Sequence, residues 1–257
     1  MPRLGFGVYQ NYTTTESVRE ALLVGYRLAY RNEAHVGAAW KGSDLPRGEV
    51  FLTTKCINKT HGYESTLKGV NASLERFGIE YIDLFLIHDP MSGCDRRLQT
   101  YKALQDAQRA GKIRSIGVSN YGVHHLEEIR AAGYTMPSVN QIEVCHLHPF
   151  CQQKAIVSYC SAHSIVVQAY CPILRGKMDH PVILELAERY HKEAAQILLR
   201  WSLQKGFVPL PKSATPERIR SNIQLYDFSL DDDAMTRLNA LDKGKEGALS
   251  WNPVDHP

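Results

Sequence analysis

The chain has 257 residues, 44% of them hydrophobic and 22% charged, and a formal net charge of +3. That balance belongs to a globular chain with enough apolar residues for a sizeable core, and it excludes a charge-driven partner such as nucleic acid or an acidic membrane surface, since no run of five or six like charges occurs. The opening MPRLGFGVYQ lacks the charged and apolar regions of a secretory signal, and no stretch reaches the roughly 18 apolar residues of a membrane span, so the expected location is the cytosol.

In chain order, GFGVYQ reads as a strand and the residues around 17–24 as a helix. From residue 49 strands and helices alternate: EVFLTTK as strand, YESTLKGVNASLERFG as helix, YIDLFLIHDP as strand, RRLQTYKALQDAQRAGK as helix, IRSIGVSN as strand, GVHHLEEIRAAG as helix and PSVNQIEV as strand. QQKAIVSYCSAH then reads as helix, SIVVQAYCP as strand, Pro181 to about Lys205 as one long helix and FVPLPKS as the last strand. A final helix begins at TPERI, with Thr215 as N-cap and Pro216 at the first helical position.

These are seven strands, and the eighth is expected in GYRLAYRNE (25–33), where only two residues separate Arg27 from Tyr30. Near-continuous apolar strands alternating with helices predict a parallel sheet buried on both faces, and eight units in this length predict an α/β fold closed as a (β/α)8 TIM barrel, one domain over 1–257. No G-x-G-x-x-G follows the first strand, which argues against an open dinucleotide-binding sheet. The six cysteines (Cys56, Cys94, Cys145, Cys151, Cys160, Cys171) are scattered and expected to be reduced.

A barrel of this kind places its chemistry at the C-terminal ends of the strands, where Tyr30, Lys55 and His88 lie. Strand alternation gives Lys55, Thr53 and Phe51 one face together with His88, Leu86 and Leu84, and sends Asp83 outward to the helices. A phenol beside an ammonium suits proton delivery to a carbonyl oxygen, because the cation favours phenolate and lowers a pKa that otherwise stands near 10. His88 would orient the carbonyl. After the last strand, PKSATPERIRSN offers Lys212, Ser213 and Arg218 to a phosphate, although a solvated helix start has the same composition. Four ligand-type side chains in CHLHPFC (Cys145, His146, His148, Cys151) match neither zinc-finger nor ribbon spacing, so a structural loop and no metal are expected there.

PRLGFGVYQ, YRNEAHVG, VFLTTK, YIDLFLIHDP, GKIRSIGVSN, NQIE, QAYCP and PLPKSATPERIRSN occur in one order along nearly the whole chain, and together they resemble the aldo-keto reductases, in particular fungal-type members. The resemblance implies a barrel that binds NADPH/NADP+ and transfers hydride to an aldehyde or ketone, a small-molecule substrate of secondary metabolism being one reading. It implies Tyr30 as general acid, Lys55 as the residue that lowers its pKa and His88 as the carbonyl-orienting group. It further implies Ser119, Asn120 and Gln141 around the carboxamide, Tyr170 stacked on the nicotinamide, Lys212, Ser213 and Arg218 on the 2′-phosphate and Asn222 at the adenine.

Departures from the resemblance matter equally. It places an aspartate five residues before the catalytic Tyr, in a strand reading H-I-D-[ST]-A between GYR and YRNE, and only Leu28 and Ala29 stand there. About five residues are missing, so the first helix must be shortened or the second strand shortened or distorted. Asp89 stands where an aromatic residue is common, and Ser221 where a Glu is common. Without the aspartate, support for the charged form of Lys55 weakens, which predicts a slower enzyme. Two function classes therefore stay open: an NADPH-dependent carbonyl reductase, and a catalytically impaired NADP-binding or scaffold protein of the same fold.

Overall fold

Eight strands pair in parallel and in strict chain order: β1 (Phe6–Gly7), β2 (Leu28–Tyr30), β3 (Phe51–Cys56), β4 (Ile82–Ile87), β5 (Ile113–Ser119), β6 (Val139–Glu143), β7 (Val166–Tyr170) and β8 (Val208–Leu210). The ring closes through the Gly5 N–H on Pro209 O (3.0 Å) and the Gly7 N–H on Pro211 O (2.9 Å), so the expected barrel is the fold found. This computed structural model describes residues 1–30, 32–143, 149–247 and 253–257, the side chains of Tyr30, Glu143 and Lys245 excepted.

Ten helices surround the strands among the described residues: α1 (Thr14–Leu23), α2 (Glu33–Lys41), α3 (Tyr63–Phe77), α4 (Cys94–Arg109), α5 (Val123–Ala131), α6 (Lys154–Ala162), α7 (Pro181–Arg189), α8 (Ala194–Gln204), α9 (Pro216–Ser221) and α10 (Asp232–Asn239). Their apolar faces meet the outward strand residues in one core that includes Phe85, Ile87, Val118, Ile142 and Trp201. No described helix is long and apolar enough to cross a membrane.

The alternation read from the sequence holds in three dimensions. Leu84, Leu86 and Val139 form a separate cluster with Phe51, the filling of the barrel itself. Gly117 makes room for it, because a Cβ there would lie 2.4 Å from Leu86 Cδ2 and 2.8 Å from Val139 O. Asp83 points outward, accepting from Arg47 Nη2 (2.6 Å) and the Leu52 N–H (2.9 Å).

Three expectations are corrected. The long helix from Pro181 to Lys205 is two helices, because His191 takes a left-handed φ of 52° and Glu193 starts a new helix whose Gln196 side chain accepts from the Glu193 N–H (2.9 Å). The helix at Pro216 is not the last, since α10 follows, with Asp231 Oδ1 accepting from the Ala234 N–H (2.9 Å). Thr215 makes no side-chain cap; its own N–H is instead held by Ser213 Oγ (3.0 Å).

Strand β2 is short but regular. Leu28, Ala29 and Tyr30 pair with Phe51, Leu52 and Thr53 on one side, and Ala29 and Tyr30 with Phe6 and Gly7 on the other. Before it, α1 stops at Leu23, Gly25 turns the chain at a φ of +107°, and Tyr26 is buried at 2% exposure. No bulge is required.

His61 and His125 are both fully buried, and burial lowers each to a pKa of about 4. The unfolded chain takes up these protons near pH 6.5 and the folded chain only near 4, so stability is expected to fall as pH drops through that window. The slope is up to about 1.4 kcal/mol per pH unit for each histidine. Urea midpoints at pH 7.5 and 5 test this; equal midpoints would contradict it, and His125→Gln should flatten the slope.

Candidate active site

The C-terminal ends of β3, β4, β5 and β7 bring Lys55, His88, Ser119, Asn120 and Tyr170 into one hydrogen-bonded chain. Lys55 Nζ donates to Ser119 Oγ (2.9 Å) and lies 5.4 Å from the centre of the Tyr170 ring. Asn120, directly after β5, adopts a left-handed φ of 62° that turns its amide back across the strand ends. Its Nδ2 donates to His88 O (3.0 Å) and Ser119 Oγ (3.3 Å), and its Oδ1 accepts from Tyr170 OH (2.9 Å). The Asn120 N–H is bound to Gln141 O (3.0 Å). Gln141 Nε2 in turn donates to Gln168 Oε1 (2.8 Å), whereas Gln141 Oε1 is buried with no partner among the described residues.

A second, more polar layer lies behind His88. Its Nδ1 is 3.1 Å from Asp89 Oδ2, and the other Asp89 oxygen accepts from the Met91 N–H (3.1 Å). Burial pushes the Asp89 carboxyl up, but the hydrogen bonds from His88 and Met91 and the nearby His61 outweigh it and hold the carboxyl below its ordinary value. His61 binds Ser92 Oγ through Nδ1 (2.8 Å). The loop carrying Asp89 is clamped by buried Arg97, which donates to Pro90 O (2.5 Å) and Pro257 O (3.1 Å) and grips Glu128 at 3.0 and 2.6 Å.

Tyr30 ends β2 opposite Thr53, two residues before the level of Lys55. Counted forward from Gly25, position 30 is the strand position that the resemblance gives to the absent aspartate. The Tyr30 side chain lies outside the described atoms. Just beyond, Asn32 (φ 51°) donates to Val8 O (3.3 Å) and Thr14 Oγ1 (2.7 Å), and Glu33 accepts from Thr54 Oγ1 (2.6 Å) and pairs with Arg76. The N-E of YRNE thus ties the chain after β2 to β1, α1, β3 and α3.

At the far end, Lys212 and Arg218 are exposed and have no side-chain hydrogen bond or ion pair among the described residues. Arg220 on the same helix is instead neutralised by Glu20 (2.7 Å). Ser213 and Asn222 are buried, at 8% and 3% exposure. Of the cysteine and histidine loop, Cys145, His146 and His148 lie outside the described residues; Cys151 is buried. Among the described residues no group of three or more ligand-type side chains could hold a metal. Cys56, Cys94 and Cys160 are free thiols.

Sequence reading missed the Asp89–His88 contact, the Arg97 clamp and the anchoring by Asn32 and Glu33. The adjacency of His88 and Asp89 was visible, but strand parity sends neighbours to opposite faces and gave no reason to join them. Their contact exists because β4 ends at Ile87 and the alternation ends with it.

A sequence profile of the aldo/keto reductase family matches residues 11–243. Glyoxal reductase of Bacillus subtilis is 41% identical over 252 residues, covering 95% of this chain and 90% of the relative. Methylglyoxal reductase DkgA of Escherichia coli is 38% identical over 255 residues, covering 95% and 91%. A crystal structure of a Bombyx mori aldo-keto reductase in complex with NADP superposes with a TM-score of 0.89 at 30% identity, covering all of this chain and 94% of that one. Barrel, strand-end residues and these matches together make the chain a member of the aldo/keto reductase family.

Proposed function

We propose that the chain reduces a small aldehyde to an alcohol with NADPH, at the pocket above β3, β4, β5 and β7. The observation that carries this is the pair formed by the interlocked Lys55–Ser119–Asn120–Tyr170 chain and the unsatisfied Gln141 Oε1 beside it. A buried acceptor without a donor costs roughly 1–3 kcal/mol, and a carboxamide NH2 delivered by a nicotinamide would relieve it. When bound, the reduced nicotinamide supplies hydride. Ser119 and Gln141 would hold its carboxamide, the half-exposed Tyr170 ring would lie against it, and Lys212, Ser213 and Arg218 would take the 2′-phosphate, with Asn222 at the adenine. Lys55 and His88 carry the polar end of the pocket where oxygen gains a proton, with Tyr30 contributing from the end of β2.

Relatives that act on glyoxal and methylglyoxal favour a two- or three-carbon oxoaldehyde over a ketone of secondary metabolism. The exposed rim of Ile57 and Met91, with polar Asp89 buried behind His88, agrees with a short, partly polar substrate. The impaired reading keeps one observation in its favour, the placement of Tyr30 on the strand level of Thr53. The experiment is NADPH binding by quenching of tryptophan fluorescence, followed by NADPH oxidation with methylglyoxal. Binding with turnover is expected. Binding without turnover on methylglyoxal, glyoxal and a simple aromatic aldehyde would move the chain to the nucleotide-binding class.

A further inference from the structure

We infer that Arg97 is a positioning residue for the reaction: it locks the loop after β4 to the segment 253–257, which is seated behind the loop after β5, so that the two loops are held at one spacing. The inference rests on the carbonyl-reducing reading above and names what fixes the substrate side of that pocket against its carboxamide side.

Arg97 is buried, and its guanidinium reaches three separate stretches of chain. Nε and Nη2 donate to the two carboxylate oxygens of Glu128 on α5 (3.0 and 2.6 Å). Nη1 is left to hold Pro90 O, two residues beyond His88, at 2.5 Å and Pro257 O at 3.1 Å. A guanidinium is planar and rigid, and the bidentate grip on Glu128 fixes its plane. Nη1 therefore cannot follow one carbonyl without leaving the other, and a single nitrogen sets the spacing between loop and segment.

The loop after β5 seats the same segment from the other side. Gly122 stands two residues beyond Asn120, and a Cβ there would collide with the Val254 carbonyl, while the Val254 side chain is itself buried. The Gly122 φ of −76° and ψ of 175° are open to any residue, so the close approach of Val254, and not the backbone, excludes a side chain at this position. His125 adds a fixed link. Its Nδ1 accepts from the Gly122 N–H (3.0 Å), which leaves Nε2 as the donor to His256 O (2.6 Å), and His124 Nε2 reaches the same oxygen (3.0 Å).

The two loops are thus tied twice. Inside the pocket, Asn120 Nδ2 joins the strand ends through His88 O (3.0 Å). Outside it, the route runs from Gly122 through Val254 and Pro257 to Arg97 and Pro90. A junction tied at one point can pivot, and a second tie two residues further along both loops removes the pivot. Met91, the exposed rim residue after Pro90, then keeps its place relative to Ser119 and Asn120, where the carboxamide would sit. Such alignment matters because a shift of about 1 Å can cost about 10²-fold in rate. Arg97, buried behind the loop, acts on the reaction only through it.

Gly122→Ala tests the link, because it displaces the Val254 carbonyl without backbone strain and keeps the N–H for His125. Single-residue amide exchange is followed by NMR on the full chain without cofactor, and methylglyoxal reduction by steady-state kinetics on the same variants. The Met91 N–H, held by Asp89 Oδ1 on the other loop, is expected to exchange about tenfold faster in Gly122→Ala. The aldehyde KM should rise and kcat/KM fall about 10–100-fold, with little change in NADPH affinity. Arg97→Lys keeps a cation for Glu128 but loses the fork, and it should act alike. The double variant should be no worse than the worse single, because both substitutions cut one link. A Met91 N–H that exchanges as in the wild type in a folded Gly122→Ala variant would overturn the proposal. So would losses that multiply in the double variant, or a chain-wide rise in exchange with the aldehyde KM unchanged, since Arg97 would then only stabilise the fold. If Gly122→Ala does not fold, Arg97→Lys carries the test through the Val254, Asp255 and His256 amides, with faster exchange expected and wild-type exchange counting against the link. A wild-type chain with no turnover would instead sink the carbonyl-reductase reading, while faster Met91 exchange in Gly122→Ala would leave the link standing.

Discussion

Replacing Lys55 with Met is expected to lower kcat for aldehyde reduction about 10²–10³-fold, the usual cost of losing one preorganised group at a developing oxyanion. Thermal stability should change much less than kcat. Lys55 is half-buried, and its ammonium reaches Ser119 Oγ, a neutral acceptor, at 2.9 Å. A Met of similar length fills the same space without the charge, so the packing of the stem is kept. Ser119 Oγ would keep its second donor, Asn120 Nδ2 at 3.3 Å, so no buried acceptor is orphaned. Steady-state kinetics and a melting curve on the same sample decide the matter. A variant that melts several degrees lower with kcat reduced in proportion would make Lys55 a structural residue.

The inward set of β3 and β4 was legible because six-residue strands carry enough alternation to separate faces, and Lys55, His88 and Asp83 followed from it. Strand β2 was not legible in the same way. Three residues give no period, and its pairing is fixed by the neighbours Phe6–Gly7 and Phe51–Thr53, which the local sequence does not reveal. The break between α7 and α8 falls at His-Lys-Glu, with neither Gly nor Pro, and depends on a left-handed His191 that tertiary packing supports. Asn120 shows the limit from another side. Its residue type was expected at the cofactor, but its backbone φ of 62° makes it the junction joining β4, β5 and β7. Asp89 was visible only as an oddity of composition until the end of β4 turned it toward His88.

The resemblance places a carboxylate on β2; here β2 ends in Tyr30 at that position, and a buried carboxylate, Asp89, stands instead on the loop after β4 beside His88.

At the opposite end of the pocket, Lys212→Ala combined with Arg218→Ala is expected to weaken NADPH binding about 10²–10³-fold and NADH binding less than about threefold. A hydrogen bond to a charged group contributes about 1.5–3 kcal/mol, and two that share one phosphate add less than fully. The local charges support this division. Arg220 is tied to Glu20 and so joins α9 to α1, whereas Lys212 and Arg218 are exposed with no ion pair among the described residues. Helix α9 has only six residues, too few for its dipole to hold a phosphate unaided, so the expected discrimination is assigned to these two side chains. Ser213 Oγ already accepts from the Thr215 N–H, which makes it a brace for the turn and a secondary contact at most. Because both cations are exposed, wild-type affinity for NADPH should fall with added salt and that of the double variant should not. Fluorescence titrations with both cofactors at two salt concentrations measure all of this at once. Equal weakening of NADPH and NADH would place the 2′-phosphate elsewhere on the barrel rim.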